Sequence, residues 1–190
     1  FDGRHFSEPV WMSGPRPATR ERLHQARDGA IWFCSPEYEI AAFRFDGTTL
    51  FRLGREDGLA GDQVFDIAET SDGVLWFGTN AGISRFDGTT IVNYTFADGL
   101  GIGEVRSIFV DSDDVLWCAT YAGISRFDPK AFGRISKRDG LINRQMDTAS
   151  VFAIESDANG GYLIGTEWGG VFHLEGEDRD RLTKADFLDS

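Results

Sequence analysis

"SDGVLWFGTNAGISRFDGTT", residues 71–90, is answered forty-one residues further on by "SDDVLWCATYAGISRFDPKA", residues 112–131. Two near-copies at a fixed spacing mean that a period has to be sought along the whole chain before any one segment is interpreted alone. Three anchors recur. A turn followed by an apolar run reads "DGAIWFC" (28–34), "DGVLWFG" (72–78), "DDVLWCA" (113–119) and, in weaker form, "NGGYLIG" (159–165). A second anchor reads "AAFRFDGTT" (41–49), "GISRFDGTT" (82–90), "GISRFDPKA" (123–131) and "GVFHLEGED" (170–178). The third is "EDGL" (56–59), "ADGL" (97–100), "RDGL" (138–141) and "ADFL" (185–188).

Trp32, Trp76, Trp117 and the matching Leu163 set a period of 41–46 residues. The units are 7–59, 60–100, 101–141 and 142–190, with residues 1–6 ("FDGRHF") matching the end of a preceding unit. Within the second unit the pattern is four short strands: A at 63–69, B at 74–79, C at 83–87 and D at 91–95. Each run is rich in β-branched and aromatic residues, and each gap carries Gly, Asp or Asn. Strands A and B are apolar on both faces, whereas a half-exposed sheet alternates. Four-stranded units of this size, buried on both sides, stack radially. The expectation is an all-β chain of β-propeller blades. The repeated words are then scaffold: Trp32, Trp76 and Trp117, with Phe45, Phe86 and Phe127, are packing residues between blades.

The segments "VFDIAETSDGVLWFGTNAGISRFDGTTIVNYTFADGL" (64–100) and "VRSIFVDSDDVLWCATYAGISRFD" (105–128) resemble the two-component regulator propeller repeat. The resemblance is strong in units two and three and weaker in one and four. It implies a sensor propeller, periplasmic or extracellular, that feeds a kinase or cyclase output module and often takes oligosaccharides. It carries over no catalytic residues. Family propellers have more than four repeats, so the chain is expected to be an excerpt, or to close its ring with a second copy. The residues alone leave a cytoplasmic location open.

A net charge of −12 repels phosphate backbones and anionic lipid, which argues against nucleic acid and membrane surfaces as partners. Cys34 and Cys118 do not make a disulfide framework and are expected as buried thiols. His5, His24 and His173 lack metal-ligand spacing, and the acidic "DSDD" (111–114) sits where a hairpin turn already requires Asp. No metal site, cofactor or catalytic triad is expected.

If the repeated words are scaffold, function lies where the units differ. The B–C turns carry Tyr38, Asn80, Tyr121 and Glu167–Trp168, a set of aromatic platforms and polar groups suited to a glycan or other small ligand. The alternative is that each aromatic merely covers a neighbouring turn. The third D–A loop, "DGLINRQMDTAS" (139–150), is longer than its equivalents and brings Asn143, Arg144 and Gln145 to the same end. The first strand A should fall near 19–26, where Arg20, Arg22 and His24 form a basic patch. That stretch reads as an anion contact, as a solvated segment, or as a short helix. The leading expectation is a non-catalytic sensory propeller that binds an oligosaccharide. A protein-interaction scaffold comes second, and a propeller-type lyase or hydrolase third.

Overall fold

The computed structural model describes residues 22–35, 40–121, 123–128, 151–158, 160–166, 170–175 and 181–184. Blade one comprises β1 (Arg22–Gln25), β2 (Ile31–Ser35), β3 (Ile40–Phe45) and β4 (Leu50–Leu53). Blade two comprises β5 (Val64–Glu69), β6 (Leu75–Thr79), β7 (Gly82–Phe86) and β8 (Ile91–Tyr94). Blade three shows β9 (Val105–Val110), β10 (Leu116–Thr120) and β11 (Gly123–Phe127). Blade four comprises β12 (Val151–Ser156), β13 (Tyr162–Thr166), β14 (Gly170–Glu175) and β15 (Arg181–Lys184). Each sheet is antiparallel, with its strands side by side in chain order. Among the described residues no helix is long and apolar enough to cross a membrane.

The strands form where the sequence pattern placed them, to within a residue at most ends. The turns explain why. At the B–C turns the last residue of strand B is Thr in blades two, three and four. Its hydroxyl donates to the carbonyl of the glycine that opens strand C: Thr79 to Gly82, Thr120 to Gly123 and Thr166 to Gly170. Gly82 has φ of 137°, and a Cβ there would lie 2.3 Å from the carbonyl oxygen of Tyr94. Only glycine fits. At the C–D turns Asp46 and Asp87 accept from the two amides that follow the tip, Thr48 and Thr49 in one and Thr89 and Thr90 in the other. Those bonds stabilise the ionised form. Asp46 is held down at about 2 by the amides of Thr49 and Thr48, and Asp87 is held lower still, chiefly by the amide of Thr90.

Both faces of the middle blades are buried, as the lack of alternation requires: β6 and β10 are buried at every residue. Three apolar layers lie between successive blades. Trp32, Cys34 and Ala42 of blade one meet Ile67, Leu75 and Phe77 of blade two. Trp76 and Ile83 of blade two meet Ile108, Leu116 and Phe127 of blade three. Trp117 and Ile124 of blade three meet Ile154, Tyr162, Ile164 and Phe172 of blade four. Each strand-B tryptophan therefore serves one interblade layer. Among the partners that build these contacts, Phe86 lies edge-on to Trp32 and Phe127 edge-on to Trp76. Phe45 is half-buried on blade one.

Polar groups also cross the layers. Asp66 on β5 accepts from the amide of Ile108 on β9 at 2.9 Å. Burial raises its pKa above the ordinary carboxylate value, while that amide and the charge of Arg22 act in the opposite direction. Buried Asp111 accepts from Trp117 Nε1 at 3.0 Å and from Tyr162 of blade four at 3.2 Å. Cys34 and Cys118 are unpaired and buried, and burial followed by the charge of Asp66 pushes both thiols up to about 12.

Residues 22–25 form strand β1 rather than a helix, because each pairs with a residue of β2, from Arg22 with Cys34 to Gln25 with Ile31. The solvated character is real, since Leu23 is 73% exposed. The lengthened third D–A loop, the remainder of blade three and the opening hexapeptide lie outside the described residues.

Candidate functional site

Strand A lies at one edge of each sheet, and the strands A of neighbouring blades lie against one another. Each of the last three strands A opens with the same irregularity. In β5 the pairing runs from Val64–Thr79 to Asp66–Gly78 and skips Phe65. In β9 it runs from Val105–Thr120 to Ser107–Ala119 and skips Arg106. In β12 it runs from Val151–Thr166 to Ala153–Gly165 and skips Phe152. A bulge frees the extra residue from the alternation of the sheet and re-aims its side chain. Here the same bulge in three blades directs three side chains to one place.

Arg106 is the centre of that place. Its guanidinium carbon lies 4.7 Å from the ring centre of Phe65, 5.5 Å from that of Phe152 and 5.4 Å from that of Tyr121. Cation–aromatic attraction of this kind is worth about 0.5–2 kcal/mol per contact and fixes the plane of the group. Nη2 donates to the Tyr121 hydroxyl at 2.9 Å and lies 2.5 Å from Oε2 of Glu104. Nε of Arg106 is buried and has no hydrogen-bond partner among the described residues. The site is open to solvent on the side of Tyr121, which is 46% exposed. The loop beneath is closely fitted: Gly103 has φ of 100°, and a Cβ there would meet the Tyr121 ring at 2.8 Å.

Of the rim residues expected from the sequence, Tyr121 is in this cluster. Asn80 serves the backbone instead: its Oδ1 accepts from the amide of Gln63 at 3.3 Å, its own amide donates to the carbonyl of Gln63 at 3.1 Å, and it packs against Gly61. Tyr38, Glu167, Trp168, Asn143, Arg144, Gln145 and Arg20 lie outside the described residues. Arg22 and His24 sit on the same face of β1. His24 Nε2 lies 3.3 Å from Glu69 Oε2, so it meets an acid of blade two. Arg106, Glu104, Phe65 and Phe152 lie outside the set of residues expected from the sequence. The signal was present in strand A, where "VF" (64–65), "VR" (105–106) and "VF" (151–152) occupy one position and Arg is the exception.

The opposite end of the blades, where the A–B and C–D turns lie, carries a second concavity of about 740 Å3 between blades one and two, lined by Arg27, Asp28, Arg44, Phe51, Asp72 and Asp87 among others. Between blades two and three, Asp114 adopts φ of 66° and accepts from the amide and hydroxyl of Ser71 at 2.7 and 2.5 Å, which latches the two turns. Blade two has Gly73 at that position, and the equivalent amide of blade one, that of Arg27, donates instead to Glu69 Oε2 at 2.9 Å. Among the described residues no three metal-ligating side chains cluster.

Residues 58–81 and 99–122 match the family described as two component regulator propeller. A comparison of the sequence with curated proteins finds no match. Among solved structures the chain is similar to the extracellular domain of BT4673 from B. thetaiotaomicron, described as a one component system, with a TM-score of 0.70 and 18% identity over 90% of this chain and 23% of that one. It is also similar to the extracellular domain of BT3049 from the same organism, described as a hybrid two component system, with a TM-score of 0.67 and 17% identity over 86% of this chain and 21% of that one. A third similarity is to virginiamycin B lyase from Staphylococcus aureus, with a TM-score of 0.63 and 18% identity over 87% of this chain and 55% of that one. The chain thus spans about a quarter of the length of the two extracellular domains. At these identities the likeness establishes the propeller fold.

Proposed function

The chain carries repeats of the two component regulator propeller family, and on that premise we propose that it is part of an extracellular sensory propeller that binds an oligosaccharide without transforming it. One observation carries this reading. A bulge repeated in three blades delivers chemically different residues, Phe65, Arg106 and Phe152, to one cluster with Glu104 and Tyr121 that opens to solvent at Tyr121. A packing device would call for the same residue three times. Exposed aromatic faces stack on the C–H faces of a sugar ring, and the Arg–Glu pair offers both a donor and an acceptor to hydroxyl groups. The likeness to extracellular domains of signalling systems supports the location and the role. Binding at a hub shared by three blades would bias their relative arrangement, which is a route to a signal that needs no chemistry.

The test is a panel of neutral and acidic oligosaccharides offered to the folded chain, with Tyr121→Ala as the control. The expected result is saturable binding weakened about tenfold by the substitution, a loss of about 1.4 kcal/mol. Binding of no saccharide, or binding indifferent to Tyr121, would overturn the reading. A protein-docking role is the second reading. It is favoured by Leu23, which is 73% exposed although its equivalents Ile67, Ile108 and Ile154 are buried.

A further inference from the structure

The cluster around Arg106 contains a detail that a binder of neutral sugars does not need. The guanidinium is fixed in orientation before any ligand arrives, by three aromatic rings and by the Tyr121 hydroxyl. A fork fixed in this way is suited to a planar two-oxygen acceptor, which takes two parallel N–H bonds. Yet the fork is only half used. Glu104 approaches one nitrogen, Nη2, and the neighbouring Nε–H is buried without a partner among the described residues. Glu104 itself is the last residue before β9, at the end of the glycine-containing loop 101–104, and its side chain is a quarter exposed.

We propose that Glu104 is an internal stand-in for a ligand carboxylate, and that the ligand is a uronate-bearing oligosaccharide whose carboxylate displaces Glu104 from Arg106. This rests on the saccharide reading given above. What a carboxylate does at this position is already visible, since one is bound there. An incoming carboxylate satisfies Nη2 as Glu104 does and adds Nε, so it gains a bond that the internal acid leaves unmade. A neutral hydroxyl cannot replace a charge paired at 2.5 Å without leaving Glu104 and Arg106 apart and uncompensated. The pair also explains how a protein of net charge −12 keeps a receptive cation at its hub: Glu104 holds Arg106 neutralised until a competing acid arrives. The sugar ring then lies against Tyr121.

The experiment is isothermal titration of the intact chain with trigalacturonate and with its methyl ester, in which each carboxylate is replaced by a neutral methyl-capped ester. The acid is expected to bind about tenfold more tightly than the ester, with an affinity that falls as salt rises. Glu104→Gln removes the competitor and keeps the shape, so it should tighten trigalacturonate binding by about three- to tenfold and widen the ratio of acid to ester affinity. Arg106→Lys keeps the charge but not the fork and should abolish the preference for the acid. Unfolding midpoints of each variant separate loss of binding from loss of fold. Equal affinity for acid and ester, or a weakening on Glu104→Gln, overturns the proposal. If neutral oligosaccharides bind in a Tyr121-dependent way while trigalacturonate shows no advantage, the uronate assignment falls and the saccharide reading stands.

Discussion

Removing the Asp111 carboxylate should loosen blade three from blade four by an amount that can be reckoned from its partners. Asp111 is buried and accepts hydrogen bonds from the amides of Asp113 at 2.9 Å and Val115 at 3.0 Å, from Trp117 Nε1 at 3.0 Å and from the hydroxyl of Tyr162 at 3.2 Å. The first three hold its own hairpin, and the fourth crosses to the next blade. Stripping the acceptor from buried donors costs about 1–3 kcal/mol per donor. The two turn amides can recover solvent in part, so the cost rests mainly on Trp117 and Tyr162, which are both buried. Asp111→Ala is therefore expected to lose about 3–5 kcal/mol in urea denaturation, a large share of the ~5–15 kcal/mol that stabilises a domain. Tyr162→Phe removes one bond and should cost about 1 kcal/mol in the wild type and close to nothing in the Asp111→Ala background. Blade two provides the natural contrast. Thr70 stands where Asp111 does, its hydroxyl donates to Asp72 at 2.7 Å and lies 3.1 Å from the carbonyl of Val74, and Trp76 Nε1 is buried without a hydrogen-bond partner among the described residues. A loss below about 1 kcal/mol for Asp111→Ala, or equal costs of Tyr162→Phe in both backgrounds, would refute the reasoning.

Other outcomes follow from the same structure. The thiols of Cys34 and Cys118, pushed up to about 12 by burial and by Asp66, should resist a disulfide reagent in the native state near neutral pH and both react once the chain is unfolded. Asp46 and Asp87 are depressed by turn amides, so their contribution to stability is present above an unfolded pKa of about 3.9 and is lost as the pH falls towards 2. Asp46→Asn and Asp87→Asn keep an acceptor for the turn and should flatten that acid limb of the urea midpoint. Asp66 has the opposite sign. Its raised pKa makes its contribution greatest in acid and smaller as the pH rises through the folded value, so Asp66→Asn should change the pH profile in the reverse sense. Gly82→Ala forces a side chain onto a φ of 137° and against the Tyr94 carbonyl, and should cost about 2–3 kcal/mol by thermal or chemical unfolding.

The period, the four-stranded unit and the face-to-face packing were all legible in the chain, because each is imposed repeat by repeat. Strand B must be apolar on both sides to lie between two blades, and "VLWFGT" and "VLWCAT" state that in one dimension. Turn chemistry is equally local, so Asp-Gly, Gly82 and the threonines that end strand B mark their own places. Tyr121 was legible as an exposed aromatic at a turn tip. Asn80 looked the same in sequence and proved to be backbone support, since the amide it holds belongs to Gln63, seventeen residues away. The bulges that turn Phe65, Arg106 and Phe152 out of the alternation each follow a valine at one position of the repeat, but a recurring pair of residues does not state that the second leaves the alternation. That they converge depends on how three sheets are rotated about a common hub. The sequence by itself determined that there would be blades and which residues would pack them, because those forces act between near neighbours and repeat every forty-odd residues. Only the tertiary structure decided that one arginine would meet aromatics from two other blades and an acid from its own loop, because distance across the hub has no counterpart in distance along the chain.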